Sequence, residues 1–473
     1  MLTYIPKYIT NKAVVLYFIL LVLIPIIWGY PMQWYFLLLG IIQVIGFFYF
    51  SSKFSFENRK LSSLEYEKKI FRLSLVIRTI YVVLIYYFYL SHSPVELPME
   101  FHMADSGHYH DLAYAFAKEL RNGNFNISKI IENCYDGISF SDYGYPTYLG
   151  VIYYLTGNSI MIVRLLNAVI DSFTVLFLYR LTTRIVNEEV GKLAACMAML
   201  MPSMIYYCGL HLKETIMMFL IVVFLNEISK LMYSNKLRIK TIIIIVLIGL
   251  VCFTFRTVLG VVLFLSFLIS ILLTSKTVIT TSKKVVISII TIVLIGLFLG
   301  QQAKDEVDKV WSNRATNQSV GMEWRSVREN GNSFAKYIGA SVFAPLIFTI
   351  PFPTMIEIEG QENQLMIHGG NYVKNIVSFF TILAVISVFI SHRWRQFILP
   401  LSFMLGYLCV LVFSNFAQSG RFHMPIIPCF IMFAAYGLYN MQNKHIKFYK
   451  IWIVFIFIAN LGWTWFKLRG RGL

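Results

Sequence analysis

The residues best suited to chemistry lie between 99 and 123, in the polar stretch MEFHMADSGHYHDLAYAFAKELRNG, which stands between long apolar runs. Apolar residues recur there every three or four positions from Tyr109 to Leu120, which predicts a short amphipathic helix beginning at Asp105 or Ser106. An aspartate at a helix start either caps the helix or acts as a general base on an acceptor hydroxyl. From the spacing alone both roles stay open for Asp105, which we expect at the outer face of a membrane.

Three histidines accompany this aspartate, namely His102, His108 and His110. His108 and His110 are two positions apart, so on a helix their side chains point in different directions. Metal ligands must instead converge on the ion, at about 2 Å for nitrogen. We therefore interpret the three histidines as polar residues of the surface or the membrane interface.

Further polar residues stand where apolar runs begin or end. Lys213 and Glu214 form either an interfacial ion pair or a site in which Glu214 contacts substrate or a metal and Lys213 contacts a phosphate. Arg256 and Arg421 are each isolated, and an arginine there either holds a phosphate partly out of water or pairs with an acid of an outer loop. The predicted substrate-binding set is Tyr109, Arg164, Lys213, Glu214, Arg256 and Arg421.

The composition is that of a membrane protein. The chain is 58% hydrophobic and only 14% charged, and runs of roughly 20 apolar residues, enough to cross a bilayer, recur along it. The net charge of +17 does not indicate nucleic acid, because most basic residues lie in short loops between apolar runs. The densest basic loop, residues 51–72, and the N-terminus are predicted to be cytoplasmic. We expect a multi-pass protein of a bacterial plasma membrane.

The predicted fold is all-α, a polytopic transmembrane helical bundle of about 13 spans with two large extracytoplasmic loops. Residues 144–157 are too short to cross and are expected to lie at the interface. Residues 341–355 contain three closely spaced prolines and are expected to be re-entrant or interfacial. The predicted segments are N-terminal spans 1–91, a first outer loop with the catalytic motif 92–158, a transmembrane core 159–301, a second outer loop 302–372 and C-terminal spans 373–473.

Several segments together resemble C-type membrane glycosyltransferases, in the lipid-carrier-dependent group of protein O-mannosyltransferases and lipid A aminoarabinose transferases. DSGHYHDLA, with Asp105 and Tyr109, is similar to that family's first outer-loop motif. Residues 145–186 resemble its proline-tyrosine interfacial helix, followed by an arginine, here Arg164, that opens the next span. Glu214 stands where an acid opens a later helix, and SGRFHMPIIPCF, with Arg421, resembles the family's arginine-then-two-prolines span.

The resemblance implies a sugar donor on a polyprenyl phosphate and a hydroxyl acceptor on a lipid, glycan or protein. Asp105 would activate the acceptor for inverting attack, while Arg256, Arg421 or Lys213 steadies the departing phosphate. No cofactor is certain, and a divalent metal ion shared by Asp105 and Glu214 is left open. Protein mannosyltransferases have an Asp-Glu pair where this chain has Asp105-Ser106, so their two-acid arrangement does not carry over.

Two other functions compete with this one. A polysaccharide repeat-unit polymerase or ligase also has about a dozen spans and would use arginines of the outer loops, for which Arg314, Arg325 and Arg328 are candidates. A lipid-linked sugar flippase or transporter would place charges deep within its helices. Arg78, inside the third predicted span, is the main charge of that kind identified in the sequence.

Overall fold

A computed structural model describes residues 2–93, 97–135, 139–233, 239–273, 344–413 and 416–470, together with residues 288, 289 and 296. Over these residues the chain is helical and contains no strand. Eight described helices are long and apolar enough to cross a membrane, or nine spans if one bent pair counts as a single span. The prediction of a helical membrane protein is confirmed, whereas about 13 spans and the glycosyltransferase fold stay predictions.

The first three helices overlap the first three predicted spans, near 13–30, 32–50 and 73–91. They are α1 (Lys7–Trp28), α2 (Trp34–Asn58) and α3 (Ser63–His92). Helices α1 and α3 begin earlier and α2 ends later than predicted. Gly29 ends α1 in the left-handed region, with φ 73°, and Pro31 follows in the turn. Local chemistry therefore sets this boundary, because glycine adopts positive φ at little cost and proline cannot continue a helix.

The stretch expected to form the first outer loop contains short helices. They are α4 (Ala104–Arg121), α5 (Ile127–Cys134), a 3-10 turn (Phe140–Asp142) and α6 (Gly144–Thr156). The predicted stripe of α4 is confirmed, since Tyr109, Ala113, Phe116 and Leu120 are buried. The capping interpretation of Asp105 is wrong: Met103 occupies the N-cap position, and Asp105 lies in the first turn.

The next helices overlap the fourth to eighth predicted spans, which are near 160–181, 190–207 and 215–233 for the first three and end near Arg256 and Lys276 for the other two. They are α7 (Ile160–Ile185), α8 (Glu188–Leu200), α9 (Pro202–Cys208), α10 (Glu214–Tyr233), α11 (Ile239–Phe255) and α12 (Thr257–Leu273). Within the fifth predicted span the helix breaks, and α8 and α9 meet at an angle of 50°. Pro202 follows the break and explains it, since proline disfavours helical backbone in the residue before it. The ninth predicted span lies largely outside the described residues.

Residues 344–358 form turns and extended backbone rather than a helix, in line with the three prolines there. The remaining helices are α13 (Glu362–Leu365), α14 (His368–Ile390), α15 (Ile398–Phe413), two 3-10 segments (Phe416–Gln418 and Gly420–Ile426), α16 (Ile427–Tyr439) and α17 (Asn443–Gly470). The four C-terminal predicted spans, near 374–391, 397–413, 422–440 and 451–467, overlap α14, α15, Gly420–Ile426 with α16, and α17 respectively.

The chain forms two compact units, each assembled from separate stretches. The first unit comprises Met1–Glu67, Leu178–Ser203 and Lys304–Leu473; the second comprises Lys68–Phe177 and Met204–Ala303. In the first unit α16 packs against α14 and α8. Helix α2 packs against α14, α8 and α1. In the second unit α4 packs on α6, and α11 packs against α10 and α12.

Candidate functional site

The candidate site is in the second unit and begins at α4. Asp105, in the first turn of this helix, is exposed, whereas Tyr109, one turn further on the same face, is 5% exposed. The apolar stripe of α4 holds the helix against α6, where Phe116 lies directly over Gly150. The carboxylate is therefore exposed at the start of a helix that packs closely on α6.

Tyr109 leads to a buried ion pair. Its hydroxyl donates to Asp142 Oδ1 at 3.4 Å, and the Lys213 ammonium forms an ion pair with the same carboxylate oxygen. Lys213 Nζ also lies 5.7 Å from the centre of the Tyr109 ring, within cation–π range. Lys213 is 5% exposed and the Asp142 side chain 37% exposed, so the pair has a buried end and an accessible end.

A second pair lies beside the first one. Arg256 Nη2 is 4.0 Å from Glu214 Oε1, with the glutamate fully buried and the arginine 15% exposed. Arg256 occupies the break between α11 and α12. Burial lowers the pKa of Lys213 from its usual value, and the nearby Arg256 lowers it further. Two cations and two carboxylates therefore share one small region of this unit.

Tyr145, at the start of α6, lies at the centre of these groups. Its ring centre is 5.1 Å from that of Tyr109 and 6.4 Å from that of Phe255, the last residue of α11. The approach is close because Gly144 has no side chain; a Cβ atom there would lie 2.6 Å from the Phe255 ring. Burial raises the pKa of Tyr145 well above its usual value, so its hydroxyl is protonated at neutral pH.

A chain of hydrogen bonds runs inward from the other face of α4. His110 Nδ1 is 2.6 Å from the Tyr153 hydroxyl, and that hydroxyl is 3.1 Å from His211 Nε2. The hydroxyl can donate to one imidazole and accept from the other. Burial lowers the pKa of His110, and burial together with the charge of Arg164 lowers the pKa of His211 much further. Both imidazoles are therefore neutral at pH 7.

Arg164 is fully buried near the start of α7 rather than open to a ligand. Its Nη2 donates to the carbonyl oxygen of Pro98, and its guanidinium lies 5.8 Å from the centre of the Tyr86 ring. Nε and Nη1 have no hydrogen-bond partner among the described residues. Glu100, also buried, is close enough to interact with this charge electrostatically.

Arg421 belongs to the first unit, unlike the other predicted site residues. It is partly buried in the 3-10 segment Gly420–Ile426. Two residues on, His423 is fully buried, and its Nδ1 lies 2.9 Å from the ammonium of Lys374 in α14. The predicted role of Arg421 in the site stays a prediction.

Three residues with polar contacts in the second unit were not predicted from the sequence. Asp142 and His211 were not singled out, and Asp171 was not recognised as the partner of Arg78. Asp171 could have been recognised from the sequence. It is the sole acid in the apolar run 160–186 and needs a partner there.

A cation site is not evident in the part of the chain that the structure describes. No three His, Cys, Asp or Glu side chains converge there as metal ligands must. Of the three histidines of the opening stretch, His102 and His108 are exposed. The chain matches no protein-family model, and no curated protein or solved structure was found to be similar to it.

Proposed function

We propose that the protein is a membrane glycosyltransferase that moves a sugar from a polyprenyl-phosphate donor to a hydroxyl acceptor at the outer face of the bacterial plasma membrane. The observation that carries the proposal is the cluster of Lys213 and Arg256 with Tyr109, one helical turn from the exposed Asp105. A phosphate leaving group needs cations, and an attacking hydroxyl needs a base. The second unit supplies both chemistries.

In the proposed reaction these residues receive the proton that is released and the phosphate that leaves. The acceptor oxygen forms a bond to the anomeric carbon, and its proton passes to the Asp105 carboxylate. The bond between that carbon and the phosphate oxygen breaks, and the phosphate leaves with the electron pair towards Lys213 and Arg256. Asp142 and Glu214 hold the two cations in place before the donor arrives. A single displacement of this kind inverts the anomeric centre.

The burial of this cluster supports a phosphate ligand. Two cations with little exposure to water interact strongly with an anion, because the local dielectric is low. Apolar helices adjoin the cluster, since α10 begins at Glu214 and α11 ends beside Arg256. A polyprenyl tail can therefore lie along apolar helices while its phosphate meets the cations. A lipid, glycan or protein hydroxyl serves as the acceptor.

The test is transfer from a synthetic polyprenyl-phosphate sugar by the purified full-length protein. Asp105→Asn removes the base, and we expect kcat to fall by about 100-fold or more. Asp111→Asn is the matched control, because it removes the same charge from an exposed position on another face of α4. Equal activity of the two variants at equal thermal stability would refute the catalytic role of Asp105.

A second candidate function, translocation of a lipid-linked sugar, is favoured by a charge pair deep in the second unit. Arg78 Nε donates to Asp171 Oδ2 at 2.5 Å, and both side chains are completely buried. They lie near the middle of α3 and α7, where unpaired charges are costly. Buried polar residues continue along this face of α7: Arg164, Asn167, Asp171 and Thr174. The polymerase alternative depends on Arg314, Arg325 and Arg328, which lie outside the described residues.

The translocation candidate is tested by replacing the whole pair, Arg78→Met with Asp171→Leu, in proteoliposomes that contain a fluorescent lipid-linked sugar. Replacing a buried ion pair by apolar side chains of similar volume often preserves folding. A translocase should lose lipid movement in this double variant. Normal lipid movement and normal transfer would instead identify the pair as structural and leave the transferase proposal standing.

A further inference from the structure

The first and last helices of the first unit begin side by side. The Tyr449 hydroxyl donates to the carbonyl oxygen of Ile9 at 3.3 Å, and the backbone N–H of Leu2 donates to the carbonyl oxygen of Tyr439 at 3.0 Å. The first contact joins α1 to α17, the second joins the residues just before these two helices, and the helices pack against each other. Their starting ends therefore lie at the same level.

A groove of about 440 Å³ runs between these two helices. Its walls are the apolar side chains of Val15, Leu16, Ile19 and Ile453, while Asn11, Lys12 and Lys450 also line it. Lys12 precedes the apolar wall residues of α1, and Lys450 precedes that of α17, so the polar end of the groove is its starting end. Val15 and Ile19 are 57% and 43% exposed, which leaves the groove open to its surroundings.

The lysines at the polar end form no ion pair with a carboxylate of the described residues. The starting turns of α1 and α17 carry five lysines, namely Lys7, Lys12, Lys444, Lys447 and Lys450. The chain has no acidic residue before Glu57 or after Glu362. Glu189 lies beside Tyr439, near this end, while its neighbour Glu188 pairs with Lys192 at 2.8 Å. Within the described residues, none of the five lysines forms an ion pair with a carboxylate.

We propose that this groove binds an anionic phospholipid of the surrounding bilayer. The phosphate lies between Lys12 and Lys450, the side chain of Asn11 can donate to a phosphate oxygen, and an acyl chain follows the apolar wall towards Ile19. A basic mouth on an apolar groove matches both parts of such a lipid. The volume lies in the usual range for ligand sites, and the open side lets a bilayer lipid enter without crossing protein.

The test is native mass spectrometry of the full-length protein after incubation with phosphatidylglycerol or phosphatidylcholine. We expect retention of phosphatidylglycerol alone, and roughly 30-fold weaker retention in the double variant Lys12→Gln/Lys450→Gln. Lys60→Gln/Lys68→Gln is the matched control. These exposed lysines lie outside the groove, and replacing them removes the same amount of charge. Val15→Trp fills the groove without changing charge and should also reduce retention.

Three results would overturn the proposal. Equal loss of phosphatidylglycerol retention in the two double lysine variants would show that overall charge, and not the groove, determines retention. Equal retention of phosphatidylcholine would make the groove a non-selective apolar surface. Displacement of phosphatidylglycerol by an equal concentration of a polyprenyl phosphate would identify the lipid carrier as the occupant. Transfer at Asp105 is measured separately and concerns the second unit, so failure here is distinguishable from failure of the proposed enzyme function.

Discussion

At the scale of residues, the second unit tolerates buried charge because each charge has an opposite partner nearby. Lys213 is held by Asp142, and Arg256 lies beside Glu214. Removing one member of such a pair leaves a buried charge uncompensated, which costs far more than the pair contributes. The two cations are therefore held in position by the protein itself, as the proposed electrostatic stabilisation of a leaving phosphate requires.

The histidine chain predicts a pH-dependent stability. The folded-state pKa of His211 lies well below its usual value, because of burial first, then the charge of Arg164 and the neighbouring His110. As the pH falls through about 6.5, the unfolded chain binds a proton that the folded chain does not. The free energy of unfolding should therefore decrease from neutral to acidic pH. Thermal unfolding between about pH 7.5 and pH 5.5 measures this dependence.

A pair of variants assigns the effect to the buried imidazole. His211→Gln keeps a polar group beside Tyr153 but removes the titration, so its unfolding temperature should depend less on pH. His108→Gln, at an exposed position of α4, should retain the full dependence. If the two variants have the same slope against pH, His211 is not the titrating group.

At the scale of elements, glycine sets how closely helices of the first unit approach. Gly437 in α16 faces the backbone of α14, where an added Cβ would lie 2.0 Å from the carbonyl oxygen of Phe380. A backbone cannot move aside as a flexible side chain can. Small residues at such crossings are typical of membrane helices, which gain stability from close backbone contact.

Gly437→Ala should destabilise the protein by about 1–3 kcal/mol, because α16 and α14 must separate to admit the methyl group. Gly462→Ala is the matched control in α17, where nothing lies within 4 Å of the added Cβ. This change should be neutral, or stabilising by up to about 1 kcal/mol, through helix propensity. Thermal unfolding in one detergent compares the two, and equal stability of both variants would exclude the close crossing.

At the scale of the whole chain, α17 is long enough to connect the two membrane faces. It has 28 residues, or about 42 Å, enough to cross a bilayer core of about 30 Å. Near its end, Lys467 is buried, with its ammonium on Thr354 Oγ1 and on the Oε1 atoms of Gln361 and Gln364, at 2.8 and 2.9 Å. The end of α17 therefore lies beside residues 354–364.

Cysteine labelling tests the resulting topology. Glu359→Cys and Asn443→Cys, in a chain without its native cysteines, place thiols at exposed positions near opposite ends of α17. Glu359 is chosen because the next residue, Gly360, has a φ of +75°, which disfavours any side chain there. We expect an impermeant reagent on intact cells to label position 359 and not position 443. Labelling of both positions from one side would contradict the predicted arrangement of the last four spans.

Sequence alone determined the helices, because the signals for them are local. Apolar runs of bilayer length predicted most of the long helices, and the spacing from Tyr109 to Leu120 predicted the buried face of α4. The N-cap of α4 was missed, since Met103 enters the helix from a left-handed conformation that its residue type does not signal.

Tertiary structure decided which polar side chains meet. Lys213 and Asp142 are 71 positions apart, and Arg78 and Asp171 are 93 apart. Sequence indicates that each buried charge needs a partner, because an unpaired charge is costly in an apolar environment. It does not say which of several acids is near, since that depends on how the helices pack. The histidines drew attention first in the sequence, whereas the fold brings Tyr109, Lys213 and Arg256 together.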